Sequence, residues 1–258
     1  VTTTERDTGD TALLVPVPAG WVELAAFEDD ASATAWFDRL LDDTPGLDEI
    51  SRAHLHDVHR RLRSALAGRS FDAAGAMLAV RQDREPSYDD TGRLTLTDDD
   101  LTVWVFLLQQ VVLPGTSDLD PVAVIEAYVG SEARAEAELV ESFTTADGRS
   151  GLALHGRAAA YDVDLAPLTA AGLEPDDPGV VQAVMHLGAL PDHSNRVLVT
   201  TGLCPTLADR PVMALAQAHL TIGARPWRRG DDLPEGTVVL DATGLLHDQG
   251  MDRGREQR

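Results

Sequence analysis

The chain has 258 residues, of which 21 are basic and 43 acidic, giving a formal charge of −22. All the basic residues are Arg, because the sequence contains no Lys, and there is a single Cys. Such a chain lacks the clustered positive charge that holds a phosphate backbone, and a lone thiol excludes an internal disulfide, a Cys zinc cage and an iron–sulfur site. With 43% apolar and 25% charged residues, the composition is that of a folded domain. The polar opening Val1-Thr2-Thr3-Thr4-Glu5-Arg6-Asp7 has no apolar signal region. The longest apolar stretch, 101–113, falls short of the roughly 20 residues a helix needs to cross a bilayer. No membrane span is expected, and a reducing, cytoplasmic location is the simplest expectation.

Residues 1–11 read as a polar arm. Residues 12–226 read as one α+β domain and 227–258 as a C-terminal extension. The segment Leu13 to Leu24 predicts a strand, a Pro/Gly turn and a second short strand, with Pro16 at a strand end or edge because it donates no ladder hydrogen bond. Behind Asp29 and Asp30, the spacing of Trp36, Phe37, Leu40 and Leu41 predicts a helix over 31–41. A longer helix is expected over 48–67, with Leu55, Val58, Leu62 and Leu66 on one face and an Asp57–Arg61 surface pair. Residues 73–81 suit a strand and 82–91 a loop. In 101–113 both alternate sets are apolar, which predicts a central strand covered on both faces. Asp120-Pro121 opens an expected helix to Gly130, and 132–140 suggest a further helical turn. Strands are expected near 139–145 and 151–159, then a Pro- and acid-rich connection over 162–177. Segments 180–190 and 196–203 form the clearest hairpin. Asp209-Arg210-Pro211 caps a closing helix to Ile222, and 238–240 suggest a short strand.

Four features bear on chemistry. His54, His56 and His59 sit with Asp57 on the second helix, but His54 and His56 point to opposite sides at 100° per residue. Only His56 and His59 share a face, and the His-Glu-x-x-His spacing of a zinc helix is absent; no metal and no cofactor is expected. The same helix holds the one dense basic region, and Arg60, Arg61 and Arg63 are the candidate partner-binding residues, beside the alternative of a solvated face balancing nearby acids. Cys204 follows a strand, with His186 on the partner strand, and a packed thiol is its default reading. His219 sits between Leu215 and Ile222 on the apolar face of the last helix, where a hydrogen-bonded core residue is expected. His186 shares a strand face with Gln182 and Val184, a partly polar surface suited to a ligand or a covering helix. No catalytic residue is assigned. The Gly-x-Ser-x-Gly, phosphate-loop and dinucleotide signatures are all absent.

The element order resembles the PsbP-like fold, found in photosystem extrinsic subunits, a Ran-binding import factor and LpqN-type actinobacterial domains. The resemblance rests on Val15-Pro16-Val17-Pro18-Ala19-Gly20-Trp21, a Gly-containing hairpin near 147–151, the long hairpin ending Arg196 to Thr201, and the closing helix 211–222. It covers roughly 13–222, with the 48–67 helix as an insertion, and transfers no functional residue. It implies a mainly antiparallel sheet sandwiched by helices and a binding role in place of a catalytic one. The expectation is a non-enzymatic binding or adaptor protein with a protein partner, associated with a secretion or envelope complex. The alternatives are an enzyme assembled from scattered residues, with Cys204, His186 and His219 as its candidates, and a small-molecule binder using the sheet surface.

Overall fold

A computed structural model describes residues 11–67, 71–81, 85, 87–97, 100–112, 137–144, 148–159, 180–190, 193–228, 230–241 and 244–245. The helices expected over 120–130 and the connection over 162–177 lie outside the described residues. The architecture is α+β. Its main sheet has seven antiparallel strands in the order β2 (Trp21–Glu23), β3 (Ala73–Val80), β6 (Leu101–Val112), β10 (His193–Cys204), β9 (Val180–Leu190), β8 (Ser150–Ala159) and β7 (Leu139–Thr144). A smaller sheet runs β11 (Arg225–Arg228), β1 (Thr11–Pro16), β12 (Thr237–Asp241), β13 (Gly244–Leu245). The short strands β4 (Ser87–Tyr88) and β5 (Leu94–Thr95) pair with each other.

Helix α1 (Asp30–Asp42) starts at Asp29, whose side chain accepts from the Ser32 backbone in a capping box. Helix α2 (Glu49–Leu66) starts at Asp48, which accepts from the Ser51 amide and the Thr95 hydroxyl. The faces read from the sequence are the buried ones: Phe37 and Leu41 in α1, and Leu55, Val58, Leu62 and Leu66 in α2. They pack on Val22, Leu24, Ala74, Ala76, Val103 and Val105, one face of β2, β3 and β6. Trp104, Phe106 and Leu108 of β6 point the other way, into a second cluster with helix α3 (Arg210–Gly223) and the small sheet. The doubly apolar segment is thus a central strand covered on both sides. The same alternation in β8–β10 puts Leu152, Leu154, Leu187, Val197 and Val199 in a third cluster on the α1–α2 side of the sheet.

Three local arrangements depart from what periodicity suggests. The strands on either side of the 17–20 turn do not belong together: β1 joins the small sheet and β2 the large one. Gly20 turns the chain with φ +84°, a conformation glycine adopts freely. Strand β7 occupies 139–144, so the last residues of the segment read as a helical turn are extended. Asp209 does not cap α3 with its side chain; it accepts hydrogen bonds from the hydroxyls of Thr102 and Thr206, both at 2.8 Å.

Candidate partner-docking interface

Helix α3 crosses β9 and β10, and its position follows from small residues beneath it. A side chain at Gly202 would collide with the Gln217 amide, and one at Gly188 would lie 2.9 Å from the Thr221 methyl. Two strand glycines therefore let the helix approach the backbone. The contact is polar: Gln217 is fully buried and its Nε2 donates to the carbonyls of Val184 (2.8 Å) and Thr200 (2.6 Å), while the Thr200 and Thr221 hydroxyls bond at 2.8 Å. Met213 and Leu220 complete the buried side.

This places α3 with its most aliphatic side outward, which corrects the orientation read from its sequence. Leu215 is 73% exposed, Val212 53% and Ile222 38%, and His219 between them is exposed rather than a core residue. The physical reason is the glycine-lined bed: the inward side needs small groups and a side chain that can satisfy strand carbonyls, and Gln217 with Thr221 supplies both. From Pro211 to Gly223 the helix carries no charged residue, within a chain that is 25% charged. The stripe runs about 21 Å along a helix about 10 Å across, so its area is on the order of a few hundred Å², the size of the largest apolar patch on a typical monomer, which is often a functional one.

The candidate catalytic residues do not converge. Cys204 is fully buried, its thiol donates to the Thr206 carbonyl at 3.4 Å, and burial pushes it up to about 12. His186 lies opposite Thr200, while Cys204 lies opposite Gln182; four residues of ladder separate them by about 13 Å. A nucleophile–base pair is thereby ruled out for these two. His186 does share its strand face with Gln182 and Val184, and α3 lies over part of that face. Its ring sits 5.8 Å from Phe143 and 6.2 Å from His155, burial lowers it to about 4, and Nδ1 has no partner among the described residues. At the Gln182 end of that face, Arg210 bonds Glu138 at 2.7 Å and Gln182 at 3.2 Å, and Arg157 bonds Glu138 at 2.9 Å.

On α2, Arg60 and Arg61 pair with Asp57, the latter at 2.8 Å, and Arg63 pairs with Asp30 at 2.9 Å. Arg63 also donates to the Leu24 carbonyl and stacks over Phe27 at 5.2 Å. Arg60 keeps 73% of its side chain exposed, against 28% for Arg61 and 15% for Arg63. His56 pairs with Asp38 at 2.9 Å. His59 is buried against Phe37 at 4.3 Å, donates Nε2–H to the Glu23 carbonyl at 3.0 Å, and is lowered by burial to about 4. The two histidines are thus occupied by other groups. Among the described residues no set of three His, Cys, Asp or Glu is arranged to hold a metal, and no helix is long and apolar enough to cross a membrane.

Sequence reasoning placed Leu215 and Ile222 on the inward apolar face and passed over Val212. The uncharged stretch 211–223 was no distinguishing signal, because 101–117 and 178–191 are longer.

No protein-family model matches the chain, and no curated protein matches it. Among solved structures, the crystal structure of LpqN, described as involved in cell envelope biogenesis of Mycobacterium tuberculosis, aligns over 86% of this chain and 87% of that one. The identity is 13% and the TM-score 0.35, a likeness from which no residue role or activity transfers.

Proposed function

We propose that the protein is a non-enzymatic binding or adaptor protein, and that the outer face of α3 is where its partner docks. One observation carries this: Leu215, Val212 and Ile222 stand exposed on a helix that bears no charge after its first residue, Arg210, on a chain of net charge −22. Holding such a stripe in water leaves its burial energy, about 25 cal/mol per Å², available to a partner. The scattered positions of Cys204, His186 and exposed His219 favour binding over catalysis. A secretion or envelope-associated assembly as the setting rests on the PsbP-like resemblance of the sequence. A second surface, for an acidic partner, is proposed at Arg60, Arg61 and Arg63, favoured by the 73% exposure of the Arg60 side chain.

Thiol accessibility tests the α3 reading. Cys204 is buried, so a Leu215→Cys variant introduces the one reactive thiol. In dilute purified protein it should react freely with a maleimide, and in the host cell it should be protected. Ile50→Cys, at a position 69% exposed on α2, should react equally in both settings. Equal labelling of the 215 thiol in both settings would refute docking at α3.

A further inference from the structure

We infer that the partner docking on the α3 face is a second copy of this chain, related by a two-fold axis through the middle of the helix. The inference rests on the α3 docking reading above and deepens it. Three observations lead to it.

The first is charge. A chain of −22 that met a basic partner would do best with acids on the contact face. A face whose residues 211–223 carry no charge suits a partner carrying the same sign, where any carboxylate would face another. An acidic protein meeting itself is that case. An anionic membrane surface is disfavoured by the same repulsion.

The second is the pattern of exposed positions. They are 211, 212, 215, 219, 222 and 223, a set symmetric about 217. A two-fold at that point pairs antiparallel helices so that Val212 meets Ile222 of the second copy and Leu215 meets its His219. The patch is then complementary to itself, as an isologous interface requires. The third is the helix dipole, because antiparallel pairing sets each positive helix end beside a negative one.

Size sets the strength. A few hundred Å² per copy is below the roughly 800 Å² per partner of a standard interface, so the dimer should be weak and concentration-dependent, with Kd between about 10 µM and 1 mM.

Sedimentation velocity on the full chain, from about 1 µM to 1 mM, tests this. Dimer should appear with concentration, and raising salt from about 0.1 M to 0.5 M should lower Kd at least about threefold by screening the mutual repulsion. Leu215→Glu and His219→Arg, both at exposed positions with unchanged circular dichroism, should each raise Kd about tenfold or more. An equimolar mixture of the two variants should recover dimer, because Glu at 215 of one copy then faces Arg at 219 of the other. A chain monomeric throughout, dimers indifferent to both substitutions, a mixture that fails to recover dimer, or dimers that loosen with salt would each overturn the assignment. A monomeric chain whose 215 thiol is still protected in the cell would overturn the second copy but leave docking at α3 standing. A chain monomeric up to about 1 mM whose 215 thiol is exposed in the cell as well would overturn both. Co-pelleting of a monomeric chain with phosphatidylcholine vesicles, lost in Leu215→Glu, would overturn the dimer in favour of a lipid surface.

Discussion

Replacing His59 with Gln should remove a large part of the chain's acid sensitivity between pH 6.5 and 4. His59 is 3% exposed, stacked on Phe37, and held by one hydrogen bond to the Glu23 carbonyl. Burial lowers it from 6.5 to about 4, and the neighbouring Arg63 and His56 act in the same direction. The folded state therefore binds fewer protons than the unfolded chain within this window. Stability is complete above about pH 6.5 and is lost as pH falls towards 4. At 1.36 kcal/mol per pH unit, a displacement from 6.5 to about 4 is worth about 3 kcal/mol below pH 4 and about 2 to 3 kcal/mol at pH 4.5. A Gln side chain can donate the same hydrogen bond and has no proton to gain. Urea unfolding at pH 7.5, 5.5 and 4.5 should show the wild-type chain losing more stability than His59→Gln, by that amount at the lowest pH. Parallel pH profiles for the two proteins would refute the reasoning, whatever the stability of the variant at pH 7.5. His186, lowered to about 4 by burial, should give a second contribution of the same sign, seen as a residual slope that His186→Gln removes.

Gly75→Ala should destabilise the chain by about 1 to 3 kcal/mol, because its methyl group would enter the Trp21 indole. That indole stacks on Phe106 at 5.8 Å and donates to buried Glu23 at 3.2 Å, so tryptophan emission should shift as well as the unfolding midpoint. Gln217→Ala should cost about 2 to 4 kcal/mol in equilibrium unfolding, combining lost donors to two strand carbonyls with a cavity under α3; a cost under 1 kcal/mol would mean α3 is not seated by this amide. Cys204 should resist a disulfide reagent at pH 8 in the folded protein and react fully in denaturant, since its thiol is buried and pushed up to about 12; rapid native reaction would contradict its placement.

The elements that sequence made legible are those whose pattern is local. Leu55, Val58, Leu62 and Leu66 mark the buried face of α2 because that helix packs on a continuous apolar sheet surface. The unbroken apolar run from Val103 to Leu108 marks a strand with a helical layer on each side. What local pattern does not reveal is pairing between distant segments. Strand β1 lies between β11 and β12, more than two hundred residues later in the chain. For α3, apolar periodicity pointed to the wrong side, because the surface beneath it is built from Gly188, Gly202 and Thr200, which favour Gln217 and Thr221 inward. Hydrophobic periodicity assumes an apolar bed along the whole helix; here Met213 and Leu220 meet one, but Gln217 and Thr221 lie over strand backbone at Gly202 and Gly188. The buried carboxylate of Glu23 escaped notice for a related reason. Burial raises it, while the amides of Leu24, Ala25 and Ala26 and the Trp21 indole favour its charged form, and none of that shows in the composition of the segment.

The most direct measurement of the central claim is a photo-cross-link. A benzophenone side chain at position 215, compared with one at position 50, reports what touches the outer face of α3 in the host cell. The account predicts one discrete adduct from 215, absent from 50 and suppressed when Val212→Glu and Ile222→Glu are present in the same chain. Labelling that is identical from 215 and 50, or that survives both substitutions, would contradict it.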